Sequence, residues 1–161
     1  MPDLPSKESL KRDLVRLLAA DLETLERAQQ AAIEGATHEE AKPENDKDTR
    51  ALEASYLARG QAMRLEELRA GLAELEAMRV RAFDEESPVA IGALVTAEEA
   101  SGAASFLLAP HGGGTKLADG RVQVVTPRSP LGRALLGTRE GDDCELTVEG
   151  KKRELSIVRV R

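Results

Sequence analysis

The stretch Glu39-Glu40-Ala41-Lys42-Pro43-Glu44-Asn45-Asp46-Lys47-Asp48 places five carboxylates within ten residues and interrupts the chain at Pro43. A proline inside a helical pattern removes a backbone donor and clashes with the preceding turn, so a helix stops before it. Upstream, Leu10, Leu14, Leu17, Leu18, Leu22 and Leu25 recur at steps of three and four residues, the spacing of a single helical stripe. Ser6 is the expected N-cap of that helix. Ala28, Ala31 and Ala32 continue the stripe, and Gly35 is the expected C-cap, for a length of about 40 Å. Downstream, a helix capped by Asp46 or Asp48 is expected to run to about Val80, with Leu65, Leu68, Leu72 and Leu75 at the 3-4-3 spacing of a coiled-coil seam. Folded back antiparallel, the two arms would set leucine against leucine at the base. Nearer the tip, the alanines of the first arm would meet Ala51, Ala54 and Ala58. Residues 1–82 thus read as an antiparallel helical hairpin whose acidic tip spans about 36–48.

Asp84-Glu85-Glu86-Ser87-Pro88 reads as a junction, and residues 83–88 as a linker. From residue 89 to 161 the periodicity changes. Short β-branched or alternating runs are expected over 90–96, 105–109, 122–126, 144–148 and 154–160, separated by glycine turns such as Asp119-Gly120 and Glu149-Gly150. Between the third and fourth runs, Ser129 would cap a short helix through Leu135 that stops at Gly137. The fold class is therefore α+β, a helical hairpin followed by a small, mostly antiparallel sheet with one inserted helix.

Composition narrows the chemistry. The formal net charge is −6 over 161 residues, with 23 basic and 29 acidic side chains, which argues against direct nucleic-acid binding through a basic face. Tyr56, Phe83 and Phe106 are the whole aromatic set, too few to line a deep ligand pocket. Cys144 has no partner for a disulfide, and His38 and His111 lie in no zinc-like spacing. The Gly112-Gly113-Gly114 run lacks the lysine and hydroxyl residue of a phosphate loop and reads as a hairpin turn. The polar N-terminal segment is unlike a signal peptide and no apolar run reaches membrane length, so the cytoplasm is the expected location.

The most distinctive string is Ser129-Pro130-Leu131-Gly132-Arg133-Ala134-Leu135-Leu136-Gly137, followed by Thr138-Arg139-Glu140-Gly141-Asp142. It closely resembles the C-terminal motif of the GreA/GreB transcript cleavage factors, strongly over 122–160 and in architecture over 7–82. The resemblance implies an N-terminal antiparallel coiled coil and an FKBP-like C-terminal domain that docks on bacterial RNA polymerase. The coiled coil would then enter the secondary channel, where tip carboxylates help hold Mg²⁺ at the polymerase active site and backtracked RNA is cleaved by the polymerase's own machinery. Carried over, Ser129, Pro130, Gly132 and Arg133 are the docking candidates. By position, Glu44, Asp46 and Asp48 become the tip residues, with Glu40 next, and Glu44 and Asp46 the Mg²⁺ ligands within the complex. The resemblance implies no enzyme activity of the chain's own, no stably held cofactor, and contact with nucleic acid only through the elongation complex.

The tip departs from the family's usual Leu-Ser-Glu-Asn-Ala-Glu-Tyr-like context, having Pro-Glu-Asn-Asp-Lys-Asp-Thr-Arg instead. That leaves open a channel-binding inhibitor or regulator without cleavage activity. An FKBP-type prolyl isomerase or chaperone would need an aromatic cluster, for which the C-terminal half offers Phe106 and, at its border, Phe83. A dimerising scaffold is the third reading. The short seam, matched within one chain, predicts a monomer.

Overall fold

A computed structural model of the chain describes residues 3–39 and 49–161. The elements, in order, are α1 (Lys7–Glu39), α2 (Thr49–Ala77), β1 (Leu94–Glu99), β2 (Gly102–Leu108), β3 (Lys116–Leu117), β4 (Val122–Val125), α3 (Pro130–Leu135), β5 (Asp143–Val148) and β6 (Lys151–Val160). By compactness they fall into two units, one of residues 17–72 and one of residues 1–16 with 73–161.

In the first unit, α1 and α2 form a helical hairpin. Leu18 and Leu65 are buried and Leu22, Leu25, Leu68 and Leu72 half-buried, whereas Leu17, expected in the same stripe, is exposed. Arg69 ties the helices together, its Nη2 lying 3.1 Å from Glu26 Oε1 while Nη1 reaches Glu66 at 2.6 Å. The alanine half of the expected seam is not found. Ala28, Ala31, Ala32, Ala51, Ala54 and Ala58 are all exposed. A buried methylene contributes about 0.8 kcal/mol against roughly 2 kcal/mol for a whole leucine, so the apolar pull fades where alanine replaces leucine. Nor does Gly35 end α1, which continues to Glu39. Gly35 is not among the glycines of positive φ, so it takes no left-handed cap, and a Gln30–Glu34 hydrogen bond of 3.2 Å spans this turn. The expected caps of α2, Asp46 and Asp48, lie outside the described residues.

In the second unit, the expected Ser6 cap is present, with Ser9 N donating to Ser6 Oγ at 3.2 Å. α2 ends at Ala77, short of Val80, and its end meets a cation. Lys11 Nζ donates to the carbonyls of Glu76 at 2.8 Å and Met78 at 2.7 Å. Lys7 binds the carbonyls of Arg81 and, at 3.3 Å, Gly92, and sits 4.7 Å from the centre of the Phe83 ring. Burial lowers the Lys7 ammonium below its ordinary pKa against the pull of Glu8, and the cations of Arg161 and Arg81 push the same way as burial.

The junction is a closed turn. Ser87 Oγ donates to Asp84 Oδ1 at 2.8 Å and accepts from Asp84 N at 3.0 Å, while Glu86 N donates to Asp84 Oδ1 at 3.0 Å. The Ser87 hydroxyl, then the Glu86 amide, hold the Asp84 carboxyl below the usual carboxylate range. A depressed folded pKa stabilises the turn above the unfolded pKa, and this contribution is lost as pH falls through the folded value. An NMR titration is expected to place the Asp84 midpoint below that of an unfolded aspartate and to move it upward in Ser87→Ala; an unchanged midpoint refutes the assignment.

The sheet runs β3-β4-β2-β1-β6-β5, with every neighbouring pair antiparallel except β2 and β4. The first strand begins at Leu94 rather than residue 90, and the two-residue β3 was not legible as a strand. Glu149 and Gly150, both at positive φ, form a two-residue turn joining β5 to β6. Val95, Phe106, Leu108, Leu155 and Ile157 pack with Leu131 and Leu135 of α3 in one core. Leu94 and Leu107, alternating with Val95 and with Phe106 and Leu108 along their strands, are buried too.

Candidate functional site

The chain leaves β4 through Thr126-Pro127-Arg128 and turns into α3 at Ser129. The turn is built on one carbonyl. Thr126 O accepts from Ser129 N at 3.1 Å and from Ser129 Oγ at 2.8 Å, while the same hydroxyl accepts from Gly132 N at 3.0 Å. Ser129 is thus the N-cap, with extended backbone at φ −73° and ψ 154°, and Pro130 follows where a missing N–H costs nothing. Gly132 is needed for space, since a Cβ there would lie 1.8 Å from Thr126 O. Leu131 and Leu135 anchor the helix in the core. Beyond the Leu136 cap, Gly137 N donates to Val89 O at 2.9 Å and Val89 N donates to Thr138 O at 2.7 Å.

The string after α3 is also internally satisfied. Arg139 N donates to Asp142 Oδ2 at 2.8 Å, Asp142 N donates to Arg139 O at 3.0 Å, and Glu140 Oε1 accepts from Val160 N at 2.8 Å.

These contacts sort the four docking candidates. Ser129 and Gly132 act on the backbone around them. Pro130 and Arg133 are exposed, and Arg133 Nη1 donates to Arg128 O at 2.9 Å. Arg128, exposed beside them, was not singled out from the sequence. The surface offered is a proline ring flanked by two guanidinium groups, suited to carboxylates and apolar edges of a protein partner. Ser129→Ala is expected to lower stability by about 1 kcal/mol through loss of the cap, read from urea unfolding. No change would mean the hydroxyl contributes nothing.

Glu40, Glu44, Asp46 and Asp48 lie outside the described residues, and the structure brings nothing to them. Among the described residues, no group of three or more His, Cys, Asp or Glu side chains could hold a metal ion. His111 Nε2 lies 3.1 Å from Glu74 Oε2. Burial, with Asp143 adding to it, raises the pKa of the half-buried Cys144 thiol, so it is a poor nucleophile. Phe106 is 2% exposed in the core and Phe83 is flanked by Lys7 and Arg81, so neither lines an aromatic prolyl site. No described helix is long and apolar enough to cross a membrane.

Residues 85–161 match the family model for the C-terminal domain of transcription elongation factor GreA/GreB. No curated protein matches the chain. Among solved structures, the transcription factor Gfh1 is 26% identical, covering 91% of this chain and 92% of that one at a TM-score of 0.40. GreA factor homolog 1 (Gfh1) of Thermus thermophilus is 24% identical, with coverages of 91% and 94% and a TM-score of 0.37. A GreA/GreB elongation factor from Nitrosomonas europaea is 25% identical, with coverages of 60% and 78% and a TM-score of 0.36. Overlays this loose decide nothing, whereas the family match over 85–161 falls on the α3 motif and the strands around it. Over residues 85–161, just under half of its length, the chain is similar to the C-terminal domain of the GreA/GreB transcription elongation factors.

Proposed function

We propose that this protein is a bacterial transcript cleavage factor acting from the secondary channel of RNA polymerase. The observation that carries the reading is the family match over 85–161, centred on an α3 motif that presents Pro130, Arg133 and Arg128 outward. In this reading the C-terminal domain docks at the rim of the channel, with Ser129 and Gly132 holding the docking turn in shape. The helical hairpin enters the channel and brings Glu44, Asp46 and Asp48, with Glu40 behind them, to the polymerase active site. Mg²⁺ is a hard cation that accepts one or two carboxylates alongside water and phosphate oxygens. Glu44 and Asp46 would supply those carboxylates to an ion shared with the polymerase, which in a two-metal site activates the attacking water. The polymerase makes the cut, and this chain completes the metal's coordination. It acts as a cytoplasmic monomer and meets nucleic acid only through the elongation complex.

One sequence observation favours a second reading. The tip Pro43-Glu44-Asn45-Asp46-Lys47-Asp48 departs from the family's usual tip context, as a channel-binding inhibitor's would. A single experiment separates the two readings. Purified protein is added with Mg²⁺ to backtracked elongation complexes, and the RNA is sized. Shortened RNA that resumes extension supports the cleavage factor. Intact RNA with arrested synthesis supports the inhibitor, and no effect on either overturns both.

A further inference from the structure

The chain's net charge of −6 conceals a cationic groove against the sheet. The groove encloses 510 Å³, the size of a small-ligand site. Thr96, Ser105 and Gln123 contribute polar side chains to its lining, and Lys116, Arg121, Arg159 and Arg161 also line it, with Asp3 the sole carboxylate residue among the lining residues.

Strand register places these groups in order. Arg159 lies opposite Thr96, Thr96 opposite Ser105, and Gln123 opposite Lys116. Between β2 and β4 the register pairs Ser105 with Val122 and Phe106 with Gln123, so Gln123 and Lys116 form a second pair, offset by one residue from the first three. Thr96 Oγ1 and Ser105 Oγ are 3.2 Å apart, and Lys116 Nζ donates to Gln123 Oε1 at 3.0 Å. Arg121 Nε donates to Ala118 O at 3.0 Å and its Nη1 to Asp3 O at 3.4 Å. Both acceptors are neutral carbonyls, and none of the described ion pairs uses any of the four cations.

A second feature aims the groove. The β1–β6 pairing slips between Thr96 and Ala97, so that Arg159 and Ile157 face consecutive residues and Val158 is passed over. Consecutive strand residues ordinarily face opposite sides of a sheet, but at this bulge Val158 and Arg159 are both exposed and both line the groove. Four cations held together without carboxylate partners repel one another, a cost that a bound polyanion removes.

We propose that this groove is a binding site for a small anion bearing two or more phosphoryl groups. Arg159, Arg161, Lys116 and Arg121 meet the phosphoryl groups, and the hydrogen-bonded hydroxyl pair of Thr96 and Ser105 has one O–H left to donate. Phe106, 2% exposed, packs in the core, so no aromatic face is available for a base, and recognition is of the phosphates. The site shares no residue with the α3 docking surface.

The test is calorimetric titration of the full-length protein with sodium tripolyphosphate at low salt. One equivalent is expected to bind, more weakly as salt screens the cations. Lys116→Ser combined with Arg159→Ser is expected to weaken binding by about tenfold or more, two charge-assisted contacts being lost. Lys151→Ser, which removes an exposed cation outside the groove, is expected to change it less than about twofold. Both groove side chains are exposed, so unchanged circular dichroism checks that the variant is folded. Absence of binding, or equal weakening by Lys151→Ser, overturns the proposal. So does a short single-stranded RNA that binds through Lys116 and Arg159 more tightly than tripolyphosphate.

Discussion

Gly132→Ala is expected to destabilise the C-terminal domain by roughly 3 kcal/mol or more, at the upper end of what overpacking a protein interior costs. The added Cβ would sit 1.8 Å from Thr126 O and 2.7 Å from the Thr126 carbonyl carbon. Both are backbone atoms, so no side-chain rotation relieves the clash. Moving Thr126 away would break its two bonds from Ser129, and moving α3 would pull Leu131 and Leu135 out of the core. The measurement is urea unfolding beside the wild type, where a loss under about 0.5 kcal/mol would show that the turn relaxes freely. Polymerase binding should fall with stability in this variant. In Arg133→Ala, an exposed change, it should fall while the unfolding midpoint stays put. Together the two variants separate the residues that shape the α3 turn from those that would touch the partner.

The second large effect concerns activity. Under the cleavage-factor reading, Glu44→Ala combined with Asp46→Ala is expected to abolish Mg²⁺-dependent shortening of RNA in backtracked complexes. Two carboxylates are the whole contribution this chain would make to the shared ion, and alanine supplies no oxygen donor in their place. Mutated groups that act as a unit are grossly non-additive, so either single change should already cost most of the effect. Polymerase binding should survive, because both residues lie outside 85–161, the matched domain. Cleavage at the wild-type rate in the double variant would remove Glu44 and Asp46 from the mechanism. Cleavage lost only on adding Asp48→Ala would move the role to that residue.

Much of the fold was legible because its signals are local. Ser6 caps α1 and Ser129 caps α3, each through a hydroxyl three residues from the amide it serves. The leucine stripes mark the buried faces of two helices, and Glu149-Gly150 marks a hairpin turn. The misreadings have physical sources. Gly35 was expected to stop α1, but a glycine ends a helix only where it takes the left-handed conformation, and here it does not. The alanine seam was read from spacing alone, although an alanine brings too little apolar surface to compel burial. The end of α2 at Ala77 is met by Lys11, more than sixty residues away in sequence, which no window over α2 contains.

By itself the sequence determined the two long helices, most of the strands and the α3 motif by which the family is known. These follow from periodicities and caps that act within a few residues. Tertiary structure alone decided what each motif residue does. Gly132 is there because the Thr126 carbonyl passes against it, and Arg128 belongs to the outward surface with Pro130 and Arg133. It also gathered Lys116, Arg121, Arg159 and Arg161 into one basic groove within an acidic chain. Net charge sums over all residues and erases position, whereas the fold brings cations distant in sequence to the lining of one groove.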